Sequence, residues 1–315
     1  MLDYVITFVG VLLGVAFFTL MERKVLGYVH FRKGPTKVFY FGIFQPISDA
    51  IKLFSKEVMK GFKLSFYLFY IAPLLGFVLM SILWAVYGGF FGIFGSSYSL
   101  LYIFCFLSLG VYFLLFSGWG SNSKYSLLGA YRAVSQTVSY EVSMIFSILC
   151  FVFFISLYDM SIFMSYQSGM WFMFLCLPLF LSWFYIILSE SNRTPFDFSE
   201  GESELVSGFN VEYGGGAFSL IFICEYGMII FLCFMTTAFF MGFSSYLTKF
   251  IFLCFVFVWV RCCFPRYRYD LLMASAWKVI LPYVLFFLLM VTAAFFLKFS
   301  SKDSFMGFQG LNKKT

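Results

Sequence analysis

The stretch "LSFYLFYIAPLLGFVLMSILWAVYGGFFGIFGSSYSLLYIFCFLSLGVYFLLFSGWGSNS", residues 64–123, contains no charged side chain. At about 20 residues per membrane-crossing helix, it holds two spans and the turn between them. The rest of the chain agrees. Its 315 residues are 62% hydrophobic and 11% charged, far too little polar material to cover a soluble fold of this size. Charged clusters bound further apolar runs, and eight helices are predicted, at roughly 3–21, 65–88, 98–118, 135–157, 170–189, 217–242, 246–261 and 279–298. A β-barrel is excluded, because its strands alternate apolar and polar residues whereas these runs are apolar on all sides. The fold class is therefore all-α, a polytopic transmembrane bundle, read as a single membrane domain over 1–315. The N-terminus has Asp3 before its apolar run and its cations after it, the reverse of a cleaved signal, so it is read as a retained first helix.

Charge placement sets an orientation. With eight spans, the loops 22–63, 119–134, 190–216 and 262–278 share one side, and with Arg261 at the rim they carry 16 of the 21 Lys and Arg. The positive-inside rule puts that side in the cytoplasm or the mitochondrial matrix, with both termini on the other side. The segment "QPISDAIKLFSKE" (45–57) spaces Ile47, Ile51 and Phe54 along one helical face, with Asp49, Lys52 and Lys56 toward the other. This predicts an amphipathic helix at the inner interface, with Pro46 suited to its first turn.

Several chemistries are excluded by composition. The eight Cys contain no C-x-x-C pair, and six of them lie singly in apolar runs, so they are read as small buried hydrophobes. His30 is the only histidine, which leaves no material for a haem or His-rich metal site. No Gly-rich phosphate loop follows a strand pattern, so neither nucleotide nor nucleic acid is an expected ligand.

The exception to the oily composition is "SESNRTPFDFSEGESELVSGFNVEYGGG", residues 189–216. It gathers Glu190, Asp197, Glu200, Glu202, Glu204 and Glu212 around one cation, Arg193. A solvated acidic turn would not also choose Phe196, Phe198, Leu205, Val206, Phe209 and Val211, so the loop is expected to fold back into the protein. Two more carboxylates lie within spans. Glu141 is nine residues past Arg132, up to about 13 Å along a helix, and Glu225 lies at a similar depth past Gly216. Ionisable groups at such depth cost roughly 2.5–3.5 kcal/mol each on insertion scales and mark function. Glu22 and Glu190 stand at the inner ends of their helices, so all four approach from the side of the acidic loop. Carboxylates gathered in low dielectric titrate as a coupled set, which is what a proton pathway requires.

In order along the chain, "ERKVLGY" (22–28), "RKGPTK" (32–37), "QPISDAIKLFSKE" (45–57), "GAYRAVSQTVSYE" (129–141), "ESNRTPFDFSEGESELVSGFNVEY" (190–213) and "PRYRYDLLM" (265–273) resemble segments of the first membrane subunit of the respiratory NADH:quinone oxidoreductases, complex I. The resemblance runs over roughly 15–290. Ser135, Ser199 and the Cys262-Cys263 pair depart from the family pattern.

The resemblance implies a subunit that forms the membrane part of a quinone tunnel. Glu22, Arg23, Asp49, Arg132 and Arg266 or Arg268 are implied as tunnel-lining, with Phe222 and Tyr226 beside them. Tyr140, Glu141, Glu190, Arg193, Asp197, Glu200, Glu202, Glu204, Glu212 and Glu225 are implied as an acidic path toward a proton-pumping membrane arm. Ubiquinone is implied as the substrate. NADH, FMN and iron–sulfur clusters are implied on peripheral partner subunits, with other membrane-arm subunits and lipid as further neighbours and the mitochondrial inner membrane as the location. Alternative readings are the homologous subunit of a membrane hydrogenase or ferredoxin-linked complex, or a freestanding ion transporter. The latter predicts inverted repeats and broken helices, which the sequence does not display.

Overall fold

The computed structural model describes residues 2–57, 64–87, 97–167, 169–199, 201, 205–242 and 244–311, and among these every regular element is helical. The main helices are α1 (Leu2–Val29), α2 (Gln45–Ser55), α3 (Phe66–Tyr87), α4 (Ser99–Ser121) and α5 (Lys124–Ile155). They are followed by α6 (Met160–Tyr166), α7 (Phe172–Leu175), α8 (Leu177–Glu190), α9 (Gly215–Phe240) and α10 (Tyr246–Cys263). The last, α11 (Tyr269–Ser275), runs through a π-helical turn at Ala276–Ile280 into α12 (Leu281–Leu311). Seven of these helices are long and apolar enough to cross a membrane.

The helices begin and end where backbone chemistry dictates, which is not where hydropathy changes. α1 carries on through Glu22, Arg23 and Lys24 to Val29 instead of stopping at 21. α5 starts at Lys124, eleven residues before the expected 135, because Asn122 in the left-handed region turns the chain directly out of α4. Hydropathy locates the bilayer; a helix with its backbone bonds satisfied internally continues beyond it. The expected fifth span, 170–189, is broken at Cys176 into α7 and α8. The 14 residues of α8 reach only about 21 Å, short of a typical hydrocarbon core. The eighth span starts about ten residues earlier than expected, through α11 and the π-turn.

Between apolar helices in lipid there is little hydrophobic drive, so close approach and small residues hold the bundle together. α3 packs on α4, α4 on α5, and α5 on α8 and α12, while α9 contacts α3, α1 and α10. A Cβ on Gly120 would fall 2.9 Å from the Phe69 nitrogen, so only glycine lets α4 meet α3 at that level. α9 is the central helix: 67% of its apolar window is buried, against 17–33% for α1, α3, α4, α10 and the last span. That position matters below, since α9 carries Phe222, Glu225 and Tyr226.

α2 is an amphipathic helix of eleven residues with Pro46 in its first turn. Ile47, Ile51 and Phe54 are exposed, an apolar face left uncovered by protein. Its remaining surface leans on α1 and α9.

Candidate functional site

Two cavities flank α9, mainly along its N-terminal half. The first, about 470 Å³, lies between α1, α2 and α9. Its walls are apolar, with Leu12, Val15 and Phe222 among them, and its charges sit on Arg23, Asp49, Lys52 and Lys56. The Arg23 guanidinium pairs with Asp49, whose other oxygen accepts from the Gln45 amide at 3.0 Å. In a separate small pocket with Tyr226 and Arg261, the buried Glu22 carboxylate is held twice. Tyr226 donates its hydroxyl to one oxygen at 2.5 Å, and Arg261 pairs with the other.

The second cavity, about 80 Å³, is enclosed by α3, α4, α5, α9 and the acidic segment. Thr137, Glu190, Asn192, Ser199 and Glu225 contribute its polar lining. Glu190 Oε2, Asn192 Oδ1 and Ser199 Oγ are buried and meet no protein hydrogen-bonding group. These buried polar atoms face a largely apolar space that exceeds the ~10–15 Å³ needed to hold an ordered water. Glu141 is buried on α5 and acts electrostatically on Glu190.

α9 joins the two cavities. Phe222 and Tyr226 meet at 4.4 Å between ring centroids with their planes tilted by 44°. The next residue to Tyr226, Glu225, accepts from Arg193 at 2.8 Å. The same Arg193 guanidinium lies 4.7 Å over the Tyr226 ring and 6.0 Å from Phe222, at cation–π distance. A continuous line therefore runs Arg261, Glu22, Tyr226, Arg193, Glu225.

The acidic segment is folded inward. Phe196, Phe198, Leu205 and Phe209 are buried, as are Asp197, Ser199 and Asn210, whereas Val206 is exposed and Val211 half-buried, so the inward fold is not shared by every apolar residue of the loop. Its seat is built for it. A Cβ on Gly129 of α5 would lie 2.8 Å from Gly208 Cα, so the segment rests directly on that helix backbone. Tyr213 stacks on Phe69 at 4.2 Å, and its hydroxyl, which burial pushes toward the protonated form, donates to the Ser117 carbonyl at 3.2 Å. Tyr267 N–H donates to the Pro195 carbonyl at 3.0 Å and ties the segment to the linker before α11.

The expected site residues fall into four groups. Arg23, Asp49 and Phe222 line the larger cavity, while Glu22 and Tyr226 meet Arg261 in a separate small pocket. Glu190 and Glu225 line the smaller one, with Arg193 paired to Glu225 and Glu141 acting electrostatically on Glu190, and Asp197 faces Arg266 at 3.5 Å. A third group stands apart. Arg268 pairs with Asp270 on the surface, and Glu212 is exposed. Arg132 sits 5.7 Å over the Tyr269 ring. The buried Tyr140 hydroxyl donates to the Leu272 carbonyl at 3.0 Å, which turns it toward α11. Glu200, Glu202 and Glu204 lie outside the described residues. Arg261 is the member that sequence reasoning assigned to neither cavity. Its signal was present: a cation in the last turn of a span at the inner rim, opposite a buried Glu22.

Residues 2–292 match the family model described as NADH dehydrogenase. The chain is 46% identical over 302 residues to NADH-ubiquinone oxidoreductase chain 1 of Aedes aegypti, covering 91% of this chain and 96% of that one. It is 43% identical over 305 residues to the protein of the same name from Heterololigo bleekeri, covering 94% and 97%. Against that from Carassius auratus it is 45% identical over 296 residues, covering 90% and 91%.

Proposed function

Because this chain belongs to the NADH dehydrogenase family, we propose that it is the membrane subunit of an NADH:quinone oxidoreductase that receives the quinone and couples its reduction to proton movement. The observation that carries this reading is the adjacency of Glu225 and Tyr226 on α9. Tyr226 donates to Glu22, the chain neighbour of the cavity-lining Arg23, and Glu225, which lines the smaller cavity, accepts from Arg193.

The larger cavity suits a ligand with an apolar body and a small polar head. Its volume is in the usual range for ligand sites, and its few polar groups lie where they fix orientation. Quinone takes up two electrons and two protons to give quinol. The electrons come from partner subunits carrying NADH, FMN and iron–sulfur clusters; this chain supplies position and protons. Charge arriving on the quinone acts on Glu22, which Tyr226 and Arg261 hold in place. Arg193 stands between the Tyr226 ring and Glu225, so a shift at the first is felt at the second. From Glu225, water in the smaller cavity leads to Glu190 and then Glu141. The setting is the mitochondrial inner membrane, with both termini toward the intermembrane space and the face that carries Arg32, Lys33 and Lys37 toward the peripheral subunits.

The test is photolabelling of the assembled complex with a photoreactive quinone carrying its reactive group on the tail. Label on α2 around Ala50–Phe54 and on α9 around Phe218–Phe222, removed by excess unlabelled quinone, is the expected result. Label confined to the lipid-facing residues of α10 or α12 overturns the assignment.

A further inference from the structure

We infer that Gln136, on α5, is a positioning residue for the acidic segment: its amide fixes the backbone that aims Glu190 and Asp197. This rests on the reading of Glu190 as part of the proton path. Gln136 is fully buried, and both amide hydrogens are committed. Nε2 donates to the Ser189 carbonyl at 2.8 Å and to the Phe196 carbonyl at 3.0 Å. These two carbonyls immediately precede Glu190 and Asp197.

Each carbonyl also accepts one backbone N–H, from Asn192 at 3.3 Å and from Phe198 at 3.1 Å. The amide therefore fills their second acceptor sites. The two carbonyls also determine which way the amide lies, since the flipped form would set its oxygen against both. One side chain thus clamps the end of α8 and the centre of the following loop to α5 at a fixed separation.

The clamp matters because Glu190 has so little else to direct it. Its Oε2 is buried and meets no protein donor. Its aim into the smaller cavity is inherited from the backbone at Ser189–Glu190. Thr137, the next residue on α5, lines that same cavity, so α5 presents the clamp and a cavity wall together. Gln136 itself neither titrates nor lines the cavity.

The experiment uses Gln136→Met, which keeps length and bulk and removes both donors, beside Glu190→Gln and the double variant, all in the assembled complex. Three quantities are read: kcat with a short-chain quinone, KM for that quinone, and NADH oxidation by an artificial acceptor that bypasses the membrane. The expected result is a kcat about ten-fold lower in Gln136→Met, KM and acceptor activity unchanged, and a double variant no slower than Glu190→Gln alone. Native kcat, a change confined to KM, or losses that multiply in the double variant overturn the positioning role. If Glu190→Gln itself turns over normally, the proton-path assignment fails first and the positioning role falls with it. Should Gln136→Met not assemble, Gln136→Glu, which keeps one donor while protonated, is read by the same measures against the same outcomes.

Discussion

The two cavities beside α9 differ in how their polar groups are satisfied. At the larger one, Arg23 pairs with Asp49 beside Lys52 and Lys56, and in a separate small pocket Glu22 is held by Arg261 and Tyr226. Around the smaller one, Glu190, Asn192 and Ser199 each bury a polar atom that no protein group meets. A site that admits an apolar ligand needs its fixed charges neutralised in advance, because the ligand brings no hydrogen bonds for them along most of its length. A site that passes protons needs the opposite, polar atoms left free to bind water. α9 separates the two environments by the width of one helix, and Arg193 spans it.

The sharpest way to break this contrast is to unpair Glu22. Arg261→Met leaves the buried Glu22 carboxylate with only the Tyr226 hydroxyl. Breaking a buried ion pair in this way costs about 3 kcal/mol, here lessened by the partial exposure of Arg261. The expected outcome is a lower melting temperature of the purified complex together with slow quinone reduction. The double variant Glu22→Met, Arg261→Met restores most of the stability and none of the turnover. If it restores turnover too, the pair serves packing alone. The exposed Arg23–Asp49 pair contributes at most about 1 kcal/mol to stability by comparison.

A smaller effect is expected at the seat of the acidic segment. Gly129→Ala drives a methyl group against the Gly208 backbone, an overpacking cost of about 2 kcal/mol. Limited proteolysis of the solubilised complex should then cut within 195–210 faster than in the native protein. An unchanged cleavage rate would mean that the segment is held elsewhere, by Tyr213 or Tyr267.

The helical class and most spans were legible because hydropathy reports the bilayer directly. The helix ends were not. Lys124 and Arg132 read as loop residues, yet a charged residue at the inner rim of a bundle extends a helix without penalty, as in α1 and α5. The inward fold of the acidic segment was legible from Phe196, Phe198, Leu205 and Phe209 interleaved with its carboxylates. What the sequence left dark was pairing at long range. Nothing local says that Arg261 meets Glu22 across 239 positions, or that Gln136 reaches two carbonyls of a segment more than fifty residues away. Glu212 and Arg268, which the family resemblance implied as site residues, both stand at the surface of this chain.

The most direct measurement is quinone-linked turnover and proton pumping by the complex carrying Glu190→Gln, with NADH oxidation by an artificial acceptor as the control. With Glu190 lining the smaller cavity beside Glu225, turnover and pumping are expected to fall together by about ten-fold or more, and the control is untouched. Full turnover with native pumping in that variant contradicts the claim that a buried acidic segment links quinone chemistry to proton movement.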